Sequence, residues 1–251
     1  MKKKSLLSRL FGKEPKPVSM DWSLTPPKPE TPLAVIGDIH GRLDLLRDLL
    51  AQIPDGYQVV CVGDYIDRGP SSVEVLRFLS ERDDIICLKG NHEAMMLDFL
   101  SDPDEKGRRW VRNGGLQTLA EIGVNGLTEM SGGMKLFEAQ SKMYDALGEG
   151  LASWIEELPV IHASGNIVVV HAGADPAKSI DEQKQRHLIW GHREFFVNER
   201  TDGLWVAHGH TIFDQPSCEK GRISLDTGAF ATGRLTAGLI SVDGTVTFVQ
   251  S

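Results

Sequence analysis

Three times between residues 32 and 100 a short apolar run closes on glycine and gives way to a helical pattern. PLAVIG precedes RLDLLRDLLAQI, YQVVCVG precedes SSVEVLRFLSER, and DIICLKG precedes NHEAMMLDFL. That alternation is the rhythm of an α/β fold. Residues 103–158 lose it and carry helical stretches such as KLFEAQSKMYDALGEGLASWIEEL, which predicts a helical cap inserted into the body. Strand character resumes at NIVVVHAG, and LWVAHGHT, RISLDTGA, RLTAGLISV and GTVTFVQ follow as consecutive strands with DG as a turn. They predict a second, more antiparallel sheet.

Composition narrows the class. With 251 residues, 25% charged and 41% hydrophobic, the chain has the balance of a globular protein able to bury a sizeable core. Formal net charge is -8. Residues 1–16 hold six Lys/Arg and one Glu, which leaves the remainder at -13. Such a surface repels a polyanion, so no nucleic-acid partner is expected. Six of the twelve prolines lie between Pro15 and Pro32, excluding a regular helix or central strand there. Residues 1–30 therefore read as a flexible basic, Pro-rich tail, and residues 31–251 as the folded domain. Leu6, Leu7, Leu10 and Phe11 beside lysines would suit an anionic membrane surface, with a solvated tail the default. No apolar stretch approaches the roughly 20 residues of a membrane span. Cys61, Cys87 and Cys218 are odd in number and lack CxxC spacing, and read as reduced thiols in a cytoplasmic protein.

Polar residues cluster where strands end. Asp38 and His40 lie in GDIHG, Asp64, Asp67 and Arg68 in GDYIDRG, and Asn91 and His92 in GNHE. His171 in VVVHAG and His208 and His210 in HGHT follow the same rule. The crevice outside the carboxyl ends of α/β strands is where ligands bind, so these loops are expected to converge. Carboxylates, an amide oxygen and imidazoles without thiolate suit Mn, Fe or Zn. Asp38, His40, Asp64, Asn91, His171 and His210 suffice for two divalent ions, with Asp64 the bridging candidate.

GDIHG, GDYIDRG, GNHE, HAG and GHT, in that order, resemble the phosphoprotein phosphatase branch of the calcineurin-like metallophosphoesterases, in particular the compact bacterial and phage type serine/threonine protein phosphatases. The resemblance covers about residues 33 to 230. It implies two face-to-face mixed β-sheets flanked by helices, with Asp38, His40 and Asp64 on one metal and Asp64, Asn91, His171 and His210 on the other. It also implies His92 as general acid paired with Asp67, Arg68 as a phosphate ligand, and Arg193 in WGHREF as a second one. By the same resemblance the substrate is expected to be a phosphorylated protein or peptide, with water activated between two ions, manganese the expected metal, attacking phosphorus in line. A symmetric bis(5'-nucleosyl)-tetraphosphatase is the alternative. Its second motif often reads GDLVARG, with Ala where this chain has Asp67.

The remaining polar residues carry weaker signals. His208 precedes the expected ligand position in HGHT and is equally a ligand or a structural residue, while His162, His187 and His192 read as surface or packing residues. Asp226 in LDTGA could pass for a protease aspartate, but too little chain follows it, and a strand-turn device beside the site is expected. Arg108, Arg109, Trp110 and Arg112 read by default as a solvated helix face, with a substrate contact as the sharper option.

Overall fold

The structure is a computed structural model and describes residues 25–251. It contains two five-stranded sheets. The first has the order β10-β9-β1-β2-β3, where β1 is Leu33–Ile36, β2 Gln58–Cys61, β3 Ile85–Cys87, β9 Thr236–Ile240 and β10 Val246–Gln250. β1, β2 and β3 are parallel, and β9 pairs antiparallel with both β1 and β10. The second sheet has the order β4-β5-β6-β8-β7, where β4 is Ile161–Ser164, β5 Ile167–Val170, β6 Trp205–His208, β7 Ser217–Glu219 and β8 Arg222–Ser224. Its central strands β5, β6 and β8 are parallel, and its edges β4 and β7 antiparallel.

The C-terminal strands therefore do not make one antiparallel sheet as their order suggested. β9 and β10 return to the first sheet, because β1 still has an unpaired edge and Leu33 through Ile36 register there against Ile240 through Ala237.

Strand periodicity assigns the cores. Leu33 and Val35 of β1 face Ile167 and Val169 of β5 and Trp205 and Ala207 of β6, forming the layer between the sheets. Ala34 and Ile36 face the other way, against α1 (Leu43–Leu50), α2 (Ser72–Ser80) and α3 (Asn91–Ser101). Val168, Val170 and Val206 pack outward against Leu188 of α7 (Gln185–Trp190). Strands buried on both faces explain the continuous apolar runs of the sequence. Residues 103–158 supply α4 (Gly107–Trp110), a wide helical turn at Val111–Gly115, α5 (Leu116–Glu121) and α6 (Met134–Glu157), which kinks at Gly148. Their buried side chains, including Trp110, Leu119, Leu136, Met143 and Ile155, join the same cluster as α1–α3. A 3-10 turn at Ile180–Glu182 and α8 (Ala229–Thr232) complete the elements.

Residues 1–24, with the candidate membrane-contacting face, lie outside the described residues. The flexible reading of the tail does not extend to its last residues. Trp205 Nε1 donates to the Thr25 carbonyl at 2.7 Å, the Asn166 side chain donates to Pro26 O at 3.0 Å, and Glu30 N donates to Ser164 Oγ at 2.9 Å. Proline lacks an N–H but keeps its carbonyl, so side chains of the second sheet can hold the segment.

Candidate active site

Every parallel strand of both sheets delivers its candidate residues at its carboxyl end. Asp38 and His40 follow β1, Asp64 to Arg68 follow β2, Asn91 and His92 open α3 after β3, His171 follows β5, and His210 follows β6. Six described non-glycine residues have positive φ, and five sit in these loops: His40 (+45°), Asp64 (+54°), Asp67 (+73°), Arg68 (+67°) and His210 (+65°). Left-handed backbone costs roughly 1–3 kcal/mol per such residue and persists only where the surroundings impose it.

Asp64 is the centre. Its Oδ1 lies 3.4 Å from His171 Nε2 and its Oδ2 3.8 Å from both His40 Nε2 and His92 Nε2. Two triads result, His40–Asp64–His92 and Asp64–His171–His210, each able to hold one ion, and they share this carboxylate. Burial opposes its ionisation, but the imidazoles of His171, His92 and His40 hold it well below the usual carboxylate range. Asp38 stands outside both triads, with its two oxygens accepting the His210 N–H at 3.0 and 3.1 Å. Burial, then Asp226 and Asp64, drive its carboxyl well above its ordinary value. Gly209 must be glycine, since a Cβ there would overlap Asp38 Oδ1.

Ring anchoring decides which nitrogens are free. His40 Nδ1 donates to Ile66 O at 2.7 Å and His171 Nδ1 to Val62 O at 3.2 Å. His171 Nε2 then presents a lone pair to Asn91 Oδ1 at 2.9 Å, close to Asp64 Oδ1 and to His210 Nδ1 at 3.2 Å. Acceptors converging on acceptors are what a cation would satisfy, so the donor set fits divalent metal. Burial pushes His40 down to about 3 and His210 to about 4, which keeps both rings neutral.

His92 is oriented from the far side. Its Nδ1 donates to Asp67 Oδ2 at 2.6 Å. Asp67 is fully buried and also receives Trp110 Nε1–H at 2.8 Å and the Thr118 hydroxyl at 2.7 Å. Burial raises Asp67 despite these three donors. Burial lowers His92, but Asp64 and the Asp67 bond outweigh it and the net shift is upward, toward imidazolium. Arg68 donates to His40 Nε2 at 2.9 Å, its Nη2 lies 3.1 Å from His92 Nε2, and the guanidinium sits over the Phe230 ring. Its guanidinium thus lies against two members of the first triad. Arg193 is not gathered with the others, being 88% exposed and ion-paired to Glu194 at the rim of a cleft that His210 also lines.

Three further residues have clear places. His208 is not beside the His171–His210 pair; it packs among Phe195, Phe196 and Phe213 and bonds Ser224 Oγ at 3.1 Å. Asp226 turns the chain between β8 and α8, its Oδ1 accepting Gly228 N at 2.8 Å. Trp110 departs from the solvated-face expectation, because its indole is completely buried against Asp67 while Arg108, Arg109 and Arg112 are exposed.

Sequence reasoning missed Glu93 and Thr118. Glu93 Oε2 accepts Asp64 N and Gly90 N, each at 2.9 Å, and Oε1 accepts Tyr65 N at 2.8 Å, so one carboxylate fixes the β2 and β3 loops together. Burial and the neighbouring Asp64 push it up to about 7. A glutamate three residues after the N-cap glycine was a readable capping signal. Thr118 had none.

Two packed mixed sheets that converge histidine, carboxylate and amide ligands define a metallophosphoesterase-type hydrolase. The calcineurin-like phosphoesterase family model matches residues 31–227, and the chain belongs to that family. It is similar to serine/threonine-protein phosphatase 2 of Salmonella typhimurium, 30% identical over 216 residues, covering 80% of this chain and 89% of the relative. It is also similar to an asymmetrical bis(5'-nucleosyl)-tetraphosphatase PrpE of Halalkalibacterium halodurans, 26% identical over 235 residues, covering 81% and 87%. A protein serine/threonine phosphatase structure from Saccharomyces cerevisiae shares the fold, with TM-score 0.55, 15% identity and coverage of 94% of this chain and 84% of that one.

Proposed function

We propose that the protein is a phosphomonoesterase acting on phosphoserine or phosphothreonine in proteins, with two divalent ions, manganese in this reading, held by Asp38, His40 and Asp64 and by Asp64, Asn91, His171 and His210. When bound, such ions supply Lewis acidity that makes water a better nucleophile and neutralises phosphate oxygens. The chain's own residues do the rest. Arg68 grips the phosphoryl oxygens from beside His40 and His92, with Arg193 a second contact from the rim. His92 Nε2 donates its proton to the departing alkoxide, while Asp67 holds the ring through Nδ1 and stabilises its positive charge.

The observation that carries this reading is the 2.6 Å His92–Asp67 bond inside a pocket of donors. A serine alkoxide needs an acid, and this pair is built to keep one. The three cysteines are buried and unpaired, which supports a reducing, cytoplasmic setting. No helix among the described residues is long and apolar enough to cross a membrane.

Relatives named bis(5'-nucleosyl)-tetraphosphatase supply the second reading. Manganese-loaded protein should turn over a phosphoserine peptide with higher kcat/KM than diadenosine tetraphosphate, and chelator should abolish both. The opposite order moves the assignment to the second reading.

A further inference from the structure

Beside the metal triads lies a cavity of about 730 Å³ lined by Arg109, Arg186, His187, Trp190, His192 and Arg193 together with Gly191. Three arginines and two histidines line it and no carboxylate does, in a chain whose net charge is -8. Trp190, Gly191, His192 and Arg193 also line the neighbouring cleft that reaches His210, so the two spaces adjoin along this shoulder.

The cationic groups are available. Neither Arg109 nor Arg186 has a carboxylate partner among the described residues, whereas Arg193 pairs with Glu194. The Arg109 guanidinium stacks on the Trp190 ring, 3.7 Å from its centroid, which fixes its plane and leaves its N–H edge for a bidentate anion. Arg186 Nε donates to His187 Nε2 at 3.2 Å, so the neutral ring carries its proton on Nδ1. That Nδ1 is buried and meets no partner among the described residues. An orphan donor beside unpaired guanidiniums lacks an acceptor.

His187 and His192 also stand near Asp175 in a grouping that could suggest a third cation. Glu194 N donates to His192 Nδ1 at 3.4 Å, as Arg186 does to His187 Nε2. Those two nitrogens thus already act as acceptors, the remaining His192 nitrogen, Nε2, faces Asp175 Oδ2 at 3.8 Å, and the adjoining arginines repel a cation.

We infer that this cavity is an anion subsite that holds a second phosphoryl group of the substrate while the first lies at the metal triads. Resting on the protein phosphatase reading, the second group belongs to a neighbouring phosphorylated residue of the same peptide. The shoulder shared by the two spaces makes the subsite part of substrate recognition, read in KM.

The test compares a singly phosphorylated serine peptide with the same peptide phosphorylated again a few residues away, using the full chain loaded with manganese. Two charge-assisted contacts should raise kcat/KM for the doubly phosphorylated peptide by about tenfold, through KM. Arg109→Gln and Arg186→Gln should each reduce that gain and the double variant should erase it, with singly phosphorylated peptide kinetics within about twofold of the parent by this reasoning. Arg186 lies on α7, away from Trp110, so its variant reads the subsite even if Arg109→Gln disturbs α4. No gain in the parent chain, or a gain that survives both substitutions, overturns the subsite. A third metal equivalent lost in His187→Ala overturns it in favour of a cation site. Failure to cleave either peptide, with diadenosine tetraphosphate turned over, instead overturns the protein phosphatase reading on which the proposal rests.

Discussion

On the proposed reading, replacing His92 with alanine removes the proton that a serine alkoxide needs as the P–O bond breaks. The ring is 2% exposed, its Nδ1 is locked to Asp67, and its Nε2 faces the space between Asp64 and Arg68. A general acid so placed is worth about 10² to 10⁴ in rate, or roughly 3–5 kcal/mol of barrier. His92→Ala should therefore lower kcat on a phosphoserine peptide by that span. p-Nitrophenolate leaves without a proton near neutral pH, so the loss on p-nitrophenyl phosphate should stay below about tenfold on the same reasoning. Asp67 keeps Trp110 and Thr118 as donors after the substitution, so its carboxylate is not left bare and the variant should fold. Initial rates on both substrates, with metal content measured in each preparation, check the expectation. The metal measurement is needed because His92 N donates to Asp64 Oδ1 at 2.9 Å and follows the candidate ligand Asn91. Equal losses on both substrates at unchanged metal content would refute proton donation and leave His92 a charge or packing role.

Trp110→Phe keeps the packing against Phe99 but deletes one donor to buried Asp67; it should cost about 1–3 kcal/mol in chemical denaturation and bias the activity loss toward phosphoserine. His208 is fully buried and pushed down to about 4, below its ordinary 6.5. Its lowered value means that the unfolded chain binds the extra proton first. The stability it protects is present above about pH 6.5 and lost as pH falls toward 4, by about 3 kcal/mol in all. His208→Gln should flatten that part of the unfolding profile, and an unchanged slope would contradict the assignment. Deleting residues 1–24 should leave phosphopeptide kinetics unchanged, since no candidate ligand lies there. Deleting 1–30 also strips Trp205 Nε1 of its partner and the Asn166 side chain of Pro26 O and Lys28 N and should lower Tm by several degrees, at roughly 2–4 °C per kcal/mol for a domain of this size.

The sequence by itself marked the loops that carry the candidate ligands. A polar residue placed just past an apolar strand beside glycine is a local arrangement, and strands that run parallel in one sheet bring such ends to one side, so Asp38, His40, Asp64 and Asn91 were legible together in one sheet and His171 and His210 in the other, while the packing of the two sheets brought the sets together. Only the tertiary structure decided where β9 and β10 go, because alternation reports which face of a strand is buried and is silent about which of several open edges will pair with it. The same limit hid Thr118 and misplaced Trp110: both lie more than forty residues from Asp67, and their roles exist only because α4 and α5 pack against the β2 loop. Arg193 shows the converse, since a motif can place a guanidinium near a site, while its exposure and its bond to Glu194 are set by the surrounding fold. Glu93 lies between the two cases. Its position three residues into α3 is written in the sequence, but the Asp64 and Tyr65 amides it binds come from another loop. Local propensity fixes what a segment can be; which distant hydrogen-bond donor meets which buried carboxylate is fixed by the packing that excludes water from both.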